Sequence, residues 1–471
     1  MLTRGIYTLP RAPRSQLRSV LCTSKRRLAS CIQTPKVNQD RLWKDIHYTC
    51  QWGKGERWGK GENETGMSRL SLSDSDRMSR DWFVETTKSL NCNVQVDAMG
   101  NTFAVRKGRQ QGPPTCAGSH LDTQPTGGRY DGILGVCAGV EMLRVLQEEN
   151  IDHEYPTLSN INEEGARFPI SMVSSGVWAG QIPLEKAHNL QEVGGGKQTM
   201  RQELQRIGYL GTLEANYEAM PIGAHFELHI EQGPRLEARN HKIGIVQGVQ
   251  AYRWHTITVK GRDCHTGTTD FANRSDAMLT AAKMILHSHR LATKHACLAS
   301  TGILTLSPGS TNTVPGTVRF SLDIRGGEDD RLMGLENQLK TDFHKIAHNE
   351  AVDDLNEGGT IGRGCTVEWV LDAPSKAIKF DKDCIQCVQD SAKELFGDEH
   401  ESLTQTMISG AGHDSVFTSH RVPTSMIFVP CKDGVSHNPM EYCSPEDCAN
   451  GAQVLMNAVL RYDKLRAERA G

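Results

Sequence analysis

GSHLDTQPTGGRYDG (118–132) is the stretch whose reading decides the fold. Residues 114–120, which run into it, read as a buried strand. After it, 132–149 carries Val136, Val140, Leu143 and Leu146 at helical spacing. A second strand, 155–161, ends just before NEEGARF (162–168). Strand, helix and strand, with polar clusters at the strands' carboxyl ends, is α/β architecture with its site where open sheets place one. The clusters supply a histidine and several carboxylates, some able to hold metal and one left as a base. Metal-assisted hydrolysis needs such a set.

The local chemistry supports that reading piece by piece. His120 and Asp131 flank a glycine-rich loop, where an aspartate can bridge two ions. Asp122, two residues after His120, points to the same side of an extended chain and can fix the imidazole tautomer. Glu163 and Glu164 cannot both face one metal on a regular strand, but at a strand end one can ligate while the other takes a proton. Singly, each piece is weak. A His-x-Asp is usually an ordinary hydrogen-bonded pair, a Glu-Glu a solvated surface, and Gly127-Gly128 only a bend.

Working outward, Ser73-Asp74-Ser75-Asp76 can cap a helix carrying Met78, Trp82 and Phe83. Residues 94–105 read as two short strands around a turn at Met99-Gly100-Asn101, 191–221 as mostly helical, and 224–230 as a strand. A different unit begins near Ala251: strand 254–260, helix 276–289, strands 303–307 and 317–324, helix 335–348, strand 365–371. That βαββαβ order describes a small α+β sandwich inserted into the larger domain. After Ser375 the first domain resumes, and 426–430 is an apolar strand leading to His437. The expected division is a targeting segment (1–39), a catalytic domain in two parts (40–250 and 374–465) and an inserted lid or dimerisation domain (251–373).

Composition admits such an enzyme. The chain has 471 residues, 37% hydrophobic and 23% charged, with no apolar run of the roughly 18 residues a membrane span needs. Net charge is −3, yet residues 1–39 hold eight Lys or Arg and no acidic residue, leaving roughly −11 for the remainder. A nucleic-acid partner is therefore not expected, and the basic segment reads as a mitochondrial presequence, or otherwise as a basic tail on a cytosolic protein. Fourteen cysteines form no disulfide or zinc-ribbon pattern. Cys384 and Cys387 fall in a helix-like stretch, so ordinary thiols in a reducing compartment are expected.

Further segments carry a resemblance. GMSRLSLSD (66–74), NEEGARFP (162–169), HIEQGPRLE (229–237), GVQAYRW (248–254), GRDCHTGTT (261–269), STNTVPGTVRFSLDIR (310–325), SGAGHDS (409–415) and FVPCKDGVSHNP (428–439) join the opening stretch in order. Together they resemble the N-carbamoyl-amino-acid amidohydrolases, including the fungal type of β-ureidopropionase, within the dinuclear zinc aminoacylase and carboxypeptidase superfamily. The resemblance covers roughly residues 40–465.

It implies a zinc-exopeptidase-like catalytic domain with a central mixed sheet, and two divalent metal ions per subunit. Zinc is the expected metal, with manganese, cobalt or nickel as alternatives. It implies one metal on His120, Asp131 and His229, and a second on Asp131, Glu164 and His437. Glu163 would be the general base, Asp122 would orient His120, and His265 would stabilise the oxyanion, acting across a homodimer interface. Asn312 and Arg325 would bind the substrate carboxylate, where a planar guanidinium offers a matching fork. Gln232, Gly412 and His413 would complete the pocket. Cys264, Thr266 and Asp270-Phe271-Ala272-Asn273 depart from the family pattern and bear on specificity.

The expected substrate is a small ureido acid: an N-carbamoyl amino acid, N-carbamoyl-β-alanine being one candidate, cleaved to amino acid, carbon dioxide and ammonia. Alternatives are an allantoate amidohydrolase or related ureide hydrolase, a peptidase or acylamino-acid hydrolase, and an inactive dimeric scaffold.

Overall fold

The computed structural model describes residues 35–155, 157–162, 166–357 and 359–470. The basic residues Arg4 to Arg27 and the pair Glu163 and Glu164 lie outside the described residues. The unit Lys36–Gly471 is built on two principal sheets.

The larger sheet has nine strands among the described residues and is mixed. At its centre Thr115–His120 runs parallel to Thr157–Asn162 on one side and Ala224–Ile230 on the other. Ala224–Ile230 is in turn parallel to Thr424–Val429, which pairs antiparallel with Ile243–Val249. Antiparallel strands Thr102–Arg106 and Asn93–Val96 finish the far edge. All residues of Thr115–His120, Ala224–Ile230 and Thr424–Val429 are buried, as strands covered on both faces must be. Ala104 and Ala117 join a core with the helices Ile133–Glu148, Lys382–Phe396 and Pro445–Ala470. Their neighbours Phe103 and Cys116 point the opposite way, into a second core with Trp178, Met220 and Val422.

The helix Ile133–Glu148 forms as its periodicity requires, with Gly132 at its N-cap in a positive-φ conformation (69°) that a side chain would strain. Ser73 is the cap of Asp74–Ser89, accepting from the Asp76 N–H. Two expectations are corrected. Residues 191–221 hold one regular helix, Met200–Ile207, plus a single 3-10 turn; Gly194, Gly195, Gly196, Gly208 and Gly211 break the pattern there. The helix expected at 335–348 begins at Asp329, because Asp329 and Asp330 supply a favourable acidic first turn. Cys384 and Cys387 are buried on a helix as free thiols.

The smaller sheet is wholly antiparallel. Ala251–Lys260 pairs along ten residues with Thr317–Gly326 and, on its other side, with Thr366–Ser375. Leu298–Ser300 and Leu304–Ser307 pair with the outer side of Thr317–Gly326. The helices Ala277–Lys294 and Asp329–Ala347 cover one face, burying Ile257, Val259, Phe320, Leu322 and Phe343. The opposite face carries Tyr252, Trp254, Asp323 and Arg325, and it turns this face to the cleft described next.

Candidate active site

His120 is the last residue of its strand, His229 is next to last in the neighbouring parallel strand, and Asp131 ends the glycine-rich loop between them. Ligand atoms of the three lie within 4.8 Å of one another, all buried. His229 Nε2 is 2.9 Å and His120 Nε2 3.6 Å from Asp131 Oδ1; His437 Nε2 is 3.2 Å from Asp131 Oδ2. The far sides of the two buried rings are tied. His229 Nδ1 donates to the Ile230 carbonyl at 2.9 Å, and His120 Nδ1 to the Asp122 carbonyl at 3.0 Å. A carbonyl only accepts, so both rings carry the proton on Nδ1 and present the Nε2 lone pair to Asp131. This tautomer is the one a metal needs.

Asp122 thus orients His120 as expected in place but not in group. Its main-chain oxygen holds the ring, while its carboxylate is 3.8 Å away. The turn after the strand brings the peptide carbonyl nearer than the side chain.

The donor set fits a divalent cation. Asp131 Oδ1 is buried and receives no hydrogen bond of acceptable geometry, although Nε2 atoms approach it. An anionic carboxylate ringed by imidazole lone pairs suits zinc and related metals. Gly132 is part of this cradle: a Cβ there would lie 2.3 Å from atoms of the His120 ring.

A residue the sequence reading missed holds the loop. Glu441 is buried, and its Oε1 accepts from the N–H groups of Tyr130 and Asp131, both at 3.0 Å. Its Oε2 accepts from Ser436 Oγ at 2.8 Å. Ser436 Oγ also accepts from Gln232 Nε2 at 3.2 Å, and the same Nε2 donates to Asp131 Oδ2 at 3.1 Å. One carboxylate therefore ties the loop of Asp131 to the loop of His437. Gly128 makes room for it, since a Cβ there would lie 2.2 Å from Glu441. Burial, then the charge of Asp131, raises the Glu441 carboxyl to about 7. The available signal was a glutamate four residues after His437, which sequence spacing alone does not distinguish from surface.

These residues open on a cleft of about 390 Å³ lined by Asp131, His229, Gln232, Arg325, His413 and His437 among others, a size typical of small-molecule sites. Gly412 also lines it. Arg325 Nε and Nη2 bind Asp323, and Nη1 donates to the Gly410 carbonyl at 2.8 Å. Three of its five N–H groups are thereby engaged, leaving two for a ligand. Burial lowers His413 to about 3, so it is a neutral imidazole, hydrogen-bonded through Nε2 to Ser409 Oγ at 3.0 Å. Met172, Gln232 and His437 hold φ of 54°, 57° and 53°. Such left-handed backbone costs about 1–2 kcal/mol per residue and clusters at functional sites.

His265 and Asn312 are not among the residues lining this cleft. His265 lies exposed on the two-residue strand Cys264–His265, which pairs with Thr313–Val314. Its Nδ1 accepts from the N–H groups of Gly267 and Thr268 at 3.0 and 3.2 Å, so Nε2 carries the proton. The Asn312 carbonyl accepts from Thr266 N–H, and its Oδ1 from Ser310 Oγ. The departing segment at Asp270 to Asn273 is a 3-10 turn and likewise does not line the cleft.

The pattern of peptidase family M20/M25/M40 matches residues 116–461. The chain is 36% identical to an N-carbamoyl-L-amino-acid amidohydrolase of Rhizobium meliloti over 430 residues, 90% of this chain and 96% of that one. It is 31% identical to a ureidoglycolate hydrolase of Oryza sativa subsp. japonica, covering 84% and 80% of the two chains. The crystal structure of an amidase of the hydantoinase/carbamoylase family from Burkholderia multivorans superposes with a TM-score of 0.80 at 38% identity, covering 91% and 98%. With the mixed α/β sheet and the histidine-aspartate cluster at its strand ends, these matches establish that the chain belongs to the M20/M25/M40 family and is a hydrolase of C–N bonds.

Proposed function

We propose that this protein hydrolyses the ureido C–N bond of N-carbamoyl amino acids, using two divalent metal ions. The observation that carries the reading is one cleft lined by Asp131, His229 and His437, with His120 behind them in the same cluster, and by the Arg325 guanidinium with two N–H groups to spare. His120, Asp131 and His229 would hold one ion, and Asp131, Glu164 and His437 the other. When bound, such ions lower the pKa of attacking water and polarise a carbonyl oxygen. Arg325 receives the substrate carboxylate, fixing the distance to the carbamoyl carbon. Glu163 takes the water's proton as oxygen bonds to that carbon, then delivers it to the amine nitrogen as the C–N bond breaks. The products are the amino acid and carbamic acid, which decays to carbon dioxide and ammonia.

A homodimer joined through the smaller sheet accompanies this reading. The outer strand Leu304–Ser307 is exposed at all four residues, with Ile303 and Leu298 66% and 60% exposed beside it, an edge that soluble proteins ordinarily cover. His265 and Asn312, exposed and away from their own cleft, would then serve the partner's. Analytical ultracentrifugation showing a monomer at working concentration would remove this part. The basic segment 1–39 supports a mitochondrial address, tested by import and N-terminal sequencing of the mature chain.

The decisive assay is ammonia release from N-carbamoyl-α-amino acids of both hands, N-carbamoyl-β-alanine, allantoate and ureidoglycolate, with dipeptide cleavage measured in parallel. Ureidoglycolate belongs in the panel because of the rice relative. Turnover of dipeptides alone would overturn the reading.

A further inference from the structure

The wall that the smaller sheet gives to the cleft carries two aromatic side chains for which the hydrolytic chemistry has no use. Tyr252 and Trp254 are two apart on the strand Ala251–Lys260 and so share a face, their ring centroids 5.1 Å apart and their planes 32° from parallel. Both line the same cleft as His229 and His437, with Met172 and Ala411 adding apolar surface. Trp254 is 43% exposed, an indole kept open where its neighbours on the other face are packed into the core.

The register places this pair beside the carboxylate anchor. Arg325 lies directly opposite Tyr252 and Asp323 directly opposite Trp254. The Arg325 guanidinium carbon sits 5.8 Å from the centre of the Tyr252 ring, and its bonds to Asp323 and the Gly410 carbonyl fix its plane. In an α-amino acid the carboxylate and the side chain leave the same carbon. A substrate anchored on Arg325 therefore carries its side chain toward the aromatic pair. Glycine has nothing to place there, and neither does unsubstituted β-alanine.

We propose that Tyr252 and Trp254 form the side-chain subsite, and that the favoured substrates are N-carbamoyl α-amino acids with aromatic or large apolar side chains. This rests on the ureido-hydrolase reading above. An aromatic ring offered to such a plane gains offset-stacking contact as well as burial, and pocket contacts of this kind discriminate by about 10–200-fold in kcat/KM.

The test compares kcat/KM for N-carbamoyl-L-phenylalanine, N-carbamoyl-L-leucine, N-carbamoylglycine and N-carbamoyl-β-alanine on the metal-loaded full chain, in wild type, Trp254→Ala and Trp254→Phe. The expected result is a phenylalanine-to-glycine ratio of at least about tenfold in wild type. That ratio falls to near unity in Trp254→Ala and is largely kept in Trp254→Phe. Taking the ratio within each variant cancels any general loss of fold or metal. Equal turnover of the glycine or β-alanine compound in wild type, or a ratio unmoved by Trp254→Ala, overturns the subsite while leaving ureido hydrolysis intact. No turnover of any N-carbamoyl compound by metal-loaded wild type overturns the function it rests on.

Discussion

The two walls of the cleft are built on opposite physical terms. On the larger sheet, His120, Asp131 and His229 are each at most 4% exposed, and hydrogen bonds on the far side of each imidazole fix its tautomer. On the smaller sheet, Tyr252 and Arg325 are half-buried and Trp254 is exposed, projecting from an open face. Water activation needs donors held to a fraction of an ångström in a dry setting. Recognition of a substrate needs a surface that solvent and substrate can reach. On the proposed function, the difference gives chemistry to the large sheet and selection to the small one.

Disabling the buried wall is expected to have the largest effect. Asp131→Ala should lose bound metal and reduce kcat/KM by about 10⁴-fold, since the carboxylate at the centre of the histidines is gone. Metal analysis of the purified variant, beside kinetics, checks it. Gly132→Ala, which touches no ligand chemically, should still cost on the order of 10²-fold, because its Cβ would lie 2.3 Å from the His120 ring at a strained φ. Full metal occupancy and activity in Gly132→Ala would show that the cradle is looser than its geometry.

The exposed wall should respond differently. Arg325→Lys keeps the charge but loses the fork, and kcat/KM should fall about 10–100-fold, mainly through KM, with metal content unchanged. Loss of metal in this variant would break the separation between the walls. Glu441→Gln tests the tie between the two ligand loops: metal affinity, measured by competition with a chelator, should weaken by roughly 10-fold or more while the melting temperature changes little. Unaltered affinity would leave Glu441 as a purely structural brace.

The smallest effect concerns pH. His47 Nδ1 accepts from Arg129 Nη1 at 2.9 Å, and burial, then the Arg129 charge, lowers its pKa to about 4. Because the folded value is depressed, the unfolded chain binds the proton first, below the ordinary value near 6.5. The stability that neutral His47 contributes is therefore present above about 6.5 and lost as pH falls toward 4. The gap in denaturation midpoint between wild type and His47→Gln should narrow across that window. A constant gap would remove His47 as a pH-sensitive support of the loop that ends at Asp131.

Much of this was legible beforehand. The strand 224–230 is found as read, and the helix after Gly132 follows its apolar period closely, because a buried strand and an amphipathic helix leave strong local patterns. The glycine-broken stretch 191–221 misled, since polar residues at helical spacing do not outweigh five glycines. His120, Asp131, His229, Gln232, Arg325, Gly412, His413 and His437 are brought to one site. His265 and Asn312 are not, and Glu441, Tyr252 and Trp254 were absent from the expected set. Nothing local marks Glu441, since a carboxylate that bonds main-chain N–H groups 310 residues away has no period or motif of its own.

The amino-acid sequence by itself determined the type of chemistry, because metal hydrolysis demands particular side chains at strand ends and these are written in order along the chain. Tertiary structure decided how they are used. Only the parallel pairing of Thr115–His120 with Ala224–Ile230 turns two distant histidines toward one aspartate. Only the register of Ala251–Lys260 against Thr317–Gly326 sets an aromatic plane beside the Arg325 guanidinium. Ligand identity follows from donor atoms, which are local, whereas selectivity follows from the distances between them, which exist only after the sheets have formed.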